Sequence, residues 1–96
     1  MTPETRARFK EWAIAYWKKN PKLLKPPDDF LTQGQQLAIA IYHAIPADGK
    51  FIKADAIATK LKRKTRQIEE ILGLIKEPWH LKSSKNNKEG GYTRNE

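Results

Sequence analysis

Cysteine is absent from this 96-residue chain. That excludes disulfides, thiolate nucleophiles and every zinc site built on cysteine, and it fits a reducing compartment. No apolar run approaches the roughly 18 residues that a membrane span needs. The opening "MTPETRARFK" has no apolar core of the kind a secretory signal carries. There is no Gly-rich phosphate loop, no Ser/His/Asp set and no cluster of metal ligands. The Asp28-Asp29 pair reads as a cap or a solvent-facing turn rather than an acid/base pair. Neither catalysis nor a cofactor is expected, and the expected location is the cytoplasm.

What is present in excess is positive charge. The formal net charge is +8, from 19 Lys/Arg against 11 Asp/Glu. The excess is uneven: residues 60–96 hold ten Lys/Arg against five Asp/Glu, and residues 32–59 hold two against two. A basic surface concentrated in this way attracts phosphate backbones or anionic membranes. The apolar fraction of 39%, with three Trp, three Tyr and three Phe, is enough for one small core.

Four helices are signalled. Thr2 as cap, Pro3 at the first helical position and Glu4 near the positive end of the dipole start the first. Phe9, Trp12, Ala13, Tyr16 and Trp17 follow the i, i+3, i+4, i+7, i+8 spacing of one stripe, and Pro21 ends it. Such a stripe covers the chain's own core or forms a homodimer face through Phe9, Trp12, Tyr16 and Trp17. "NPKLLKPPDDF" reads as an extended connector, with Leu23, Leu24 and Phe30 pinned to the body. "TQGQ", residues 32–35, has the form of a capping box, opening a helix through the apolar "LAIAIYHAI". His43 within that run reads as a packed structural histidine. After a very short extended Phe51-Ile52, the spacing of Ala54, Ile57, Ala58 and Leu61 predicts a third helix. That of Ile68, Ile71, Leu72 and Ile75 predicts a fourth.

Residues 78–95, "PWHLKSSKNNKEGGYTRN", then read as a β-hairpin. Trp79 and Leu81 would share one face, and Gly90 and Gly91 would supply the return. With the helices before it, this is the element order of a winged helix-turn-helix. "IKADAIATKLKRKTRQIEEILGLI" resembles the two-helix unit of bacterial and phage winged-helix DNA-binding domains, and the hairpin resembles their wing. The resemblance covers about 60 residues and not residues 1–31. It implies a mainly α fold with a small β-hairpin. A three-helix core plus wing would occupy 32–96, behind an extra N-terminal amphipathic helix and Pro-rich connector in 1–31.

The resemblance also implies double-stranded DNA as partner, with a recognition helix at about 64–76 and a basic wing at about 79–94. Arg can bond bidentately to guanine and Gln to adenine, so Arg66 and Gln67 are the expected base contacts, with Thr65 and Glu70 behind them. Lys62, Arg63 and Lys64 are expected on the phosphate backbone, and Lys82, Lys85, Lys88 and Arg94 along the wing. One departure stands out: Lys62 and Arg63 occupy the turn where many such units have a glycine and an apolar residue.

The expected role is that of a small transcriptional regulator or a phage or plasmid accessory protein acting by occupancy. A DNA-binding part of a longer replication factor would also stop, as this chain does, just after the wing. Two other readings compete. Parts of the chain are similar to the ProQ/FinO family of RNA chaperones, though that family's closing Arg-x-Asp-Leu-x-Gly stretch is absent. Winged-helix folds also serve as protein-interaction modules.

Overall fold

A computed structural model of the chain describes residues 2–25, 31–47, 50–83 and 91–94. Four helices follow in order: α1 (Pro3–Lys19), α2 (Gln33–Ala44), α3 (Ala54–Leu61) and α4 (Thr65–Ile75). Among the described residues two short strands, β1 (Leu81–Ser83) and β2 (Tyr92–Arg94), come after the helices. The protein is thus mainly helical with a small antiparallel sheet.

The first two helices begin as their sequences dictate. The Thr2 hydroxyl accepts from the Thr5 amide at 3.2 Å, with Pro3 and Glu4 in the first turn. At α2 the capping box is complete. Thr32 accepts from the Gln35 amide at 3.2 Å, and the Thr32 amide donates to the Gln35 side chain at 3.0 Å. After α1 the chain makes one tight turn, Pro21–Leu23. Asn20, buried, holds this turn from both sides: its amide group donates to the Lys25 carbonyl and its carbonyl accepts from the Lys25 amide. Leu23 is buried as expected, but Leu24 is 79% exposed. The turn folds back within five residues, so both leucines cannot face inward. Phe30 lies outside the described residues.

One apolar core runs through all four helices. It contains Phe9, Ala13 and Tyr16 of α1, Leu37, Ala38, Ile41 and Tyr42 of α2, Ile57 and Ala58 of α3, and Ile68, Ile71, Leu72 and Ile75 of α4. The α1 stripe therefore covers the chain's own core, with Trp12 and Trp17 half-buried against it. Phe9 and Tyr16 are buried within the chain, while Trp12 and Trp17 keep part of their surface exposed. Trp79 is the hub. Its indole N–H donates to the Ala13 carbonyl at 2.9 Å, and its ring lies edge-on to Trp12 and Tyr42. Full burial of a side chain this large is worth several kcal/mol.

His43 differs from its expected place. It lies at the surface beside the Tyr42 ring, since the α2 core stripe passes through Tyr42 and Ile41 instead. Partial desolvation, and secondarily the Arg94 charge, lower its pKa.

The sheet is small but tied on both sides. Leu81 pairs with Arg94 and Ser83 with Tyr92. On the other side of β2, Ile52 and Tyr92 exchange two backbone hydrogen bonds of 2.8 and 3.0 Å. Gly91 makes that approach possible. Its φ is +113°, and a Cβ there would lie 2.6 Å from the Ile52 carbonyl oxygen. No helix among the described residues is long and apolar enough to cross a membrane.

Candidate nucleic-acid interface

Between α3 and α4 the chain turns in three residues, Lys62, Arg63 and Lys64, all exposed. Lys62 takes the left-handed conformation at φ +57°. Its amide donates to the Thr59 carbonyl, and the Arg63 amide donates to the Ala58 carbonyl at 2.9 Å. This is the hydrogen-bond pair of a Schellman ending, which normally places glycine at the left-handed position. The unusual residue thus changes the cost of the turn and not its shape. Arg63 in turn lines a surface hollow with Gln33, Gln36, Leu37, Ala40 and Leu61, at the seam between α2 and α3.

Helix α4 is strongly two-sided. Ile68, Ile71, Leu72, Leu74 and Ile75 are buried, while Arg66, Gln67, Glu69 and Gly73 are exposed and Thr65 and Glu70 are half-exposed. All the α4 residues expected to meet DNA therefore stand off the core. The electrostatics of this end run against helix stability. Lys64 occupies the cap position and makes no side-chain capping bond, and no acid lies in the first turn. Lys62, Arg63, Lys64 and Arg66 crowd the positive end of the helix dipole, where cations are unfavourable and anions welcome. Further along, Glu69 and Glu70 outnumber Arg66, so the helix body itself is not basic.

The wing residues divide. Lys82 on β1 is exposed. Lys85, Lys88 and Gly90 fall in 84–90, outside the described residues. Arg94 is not directed outward as expected. Its Nε donates to the Ile45 carbonyl at 2.8 Å, and its guanidinium lies 5.1 Å over the Tyr42 ring. Thr93 and the Arg94 amide both bond the Pro46 carbonyl, at 2.9 Å each. Strand alternation alone leaves Arg94 on an open face, but the end of α2 reaches that face first. Arg94 is a fastening of the sheet to the core.

One basic residue near this surface was not singled out from the sequence. Arg6 of α1 shares a hollow with Arg66, Glu69 and Glu70 of α4. Helix α1 lies along α4, and the Lys10–Glu77 ion pair of 3.5 Å marks its course toward the other end. Arg6 stands off the aromatic stripe, but nothing in the sequence ties it to a residue sixty positions later. Comparison with models of known families, with characterised proteins and with solved structures finds no match to the chain.

Proposed function

We propose that the chain is a winged-helix protein that binds duplex DNA, with α4 as the helix that enters the major groove. Ile52, β2 and β1 form the sheet of the wing in this reading. An α-helix about 10–12 Å across matches the major groove of B-DNA, and residues near its N-terminus reach the base edges. Arg66 and Gln67 read bases, Thr65 and Glu70 assist, and Lys62, Arg63, Lys64 and Lys82 hold phosphates. Binding acts by occupancy, as in a small transcriptional regulator or an accessory protein of a phage or plasmid in a bacterial cell.

The observation that carries this reading is the start of α4. Four exposed cations gather around a dipole end that disfavours them, and one of the four, Lys62, is held in a conformation suited to glycine. Local rules broken together at one exposed place point to a function that needs those side chains.

The test is fluorescence anisotropy with random-sequence duplex DNA and with a structured RNA of equal length, from about 50 to 200 mM salt. The expected result is preference for the duplex, affinity falling steeply with salt, and weakening by Lys64→Ala and Arg66→Ala. Tight binding to RNA alone would replace this reading with RNA binding of the ProQ/FinO kind. Salt-independent or absent binding to both would leave a protein partner as the function to seek.

A further inference from the structure

The hollow between α1 and α4 differs in charge from the turn beside it. From Lys60 to Arg66 the chain has no acid, and its cations suit phosphates. In the hollow, Arg6 and Arg66 are balanced by Glu69 and Glu70. A phosphate entering there would meet two carboxylates as well as two guanidinium groups and find no net attraction. A base edge would not, because it offers acceptors and donors together. In the major groove a G·C pair presents guanine O6 and N7 as acceptors and the cytosine amino group as donor. Arginine forks match the first, and glutamate matches the second.

Resting on the DNA-binding reading above, we infer that this hollow is a base-reading site for G·C pairs and that Arg6 of α1 is one of its reading residues. Helix α1 then does more than cover the core. It lies along α4 and brings a guanidinium from residue 6 to the surface α4 presents. Arg6 and Arg66 donate to guanine, and Glu69 or Glu70 accepts from the paired cytosine. The cations of the 62–64 turn hold the backbone nearby. The inferred site includes G·C pairs at the positions this hollow faces.

The experiment is selection from a duplex library with a randomised core, followed by sequencing, for the wild type, Arg6→Gln and Arg8→Gln. Arg8 is also exposed on α1 but does not line the hollow. Melting curves of both variants serve as the folding control. The wild type is expected to select a site containing G·C pairs. Arg6→Gln is expected to lose preference at one of them, and Arg8→Gln to keep the full site. On the selected duplex Arg6→Gln should bind about fivefold or more weakly, since one good bidentate pair discriminates by about that factor or more. With that G·C pair changed to A·T, wild type and Arg6→Gln should differ by less than about twofold. Equal weakening on both duplexes would make Arg6 a phosphate contact and overturn the inference. So would an unchanged selected site. Either result leaves DNA binding itself standing, whereas a wild type that enriches no sequence and binds no duplex would remove both.

Discussion

Helices α1 and α4 are built on opposite terms. In α1 every local preference agrees: a threonine cap that is used, proline next, glutamate in the first turn, and Lys18 and Lys19 in the last. In α4 the apolar face is stronger, yet its beginning is electrostatically wrong: lysine at the cap, arginine in the first turn and no acid. The two helices belong to one core and lie side by side. Folding pressure therefore does not explain the contrast. A helix that can rely on Ile68, Ile71, Leu72 and Ile75 for its place can give up its N-terminal end to another use.

The contrast breaks most completely if the shared core is removed. Trp79→Ala deletes the ring that meets Trp12 and Tyr42, together with the bond to the Ala13 carbonyl. The expected loss is about 3–5 kcal/mol, read as a lower urea midpoint. Helices α1 and α4 should come apart in one transition. Separate transitions for the two would show that α1 is an appendage and that its good local design serves it alone.

Much of this was legible in the chain before folding. Thr2, Pro3 and the Thr32–Gln35 box act locally, over three or four residues, and so can be read directly. The stripes of α1 and α4 declare that they will be covered. They do not say by what, and only the folded chain shows Trp79 and Tyr42 arriving against α1. Arg94 and Arg6 were misjudged or passed over for the same reason. Arg94 is held by the Ile45 carbonyl and Arg6 shares a hollow with Arg66, each partner more than forty places away in the chain. His43 and Leu24 went astray at margins, where one step around a helix or turn changes inside to outside. The order of elements, then, was readable, while the composition of the surface was not.

A second change sharpens the comparison by giving α4 the start that α1 has. Lys64→Asp places a capping oxygen before the orphan amides and a negative charge at the positive dipole end. The expected gain is about 1 kcal/mol in denaturant stability. Because the same change removes a cation and adds an anion at the candidate interface, duplex affinity should fall by tenfold or more at low salt. A gain in stability with unchanged DNA binding would detach the turn from function.

The smallest effect concerns two residues that share a backbone conformation and differ in surroundings. Lys62 closes α3 at φ +57° and His80 closes the turn that follows α4 at φ +54°, each with a pair of backbone bonds. His80 lies 5.3 Å from the Trp17 ring, a contact that offsets part of its strain. Among the described residues the Lys62 side chain makes no hydrogen bond or ion pair within the chain. Glycine at either position relieves the left-handed strain, which is worth about 1 kcal/mol. Lys62→Gly should therefore raise stability by roughly 0.5–1 kcal/mol and weaken duplex binding, with a salt dependence shallower by about one phosphate. His80→Gly should give no net gain, since it loses the ring contact, and should leave DNA affinity as it was. If both glycine variants stabilise equally and neither alters binding, the left-handed lysine is an incidental feature of the turn. If they part in the expected way, the strain at Lys62 is tied to the contact its ammonium makes outside the chain.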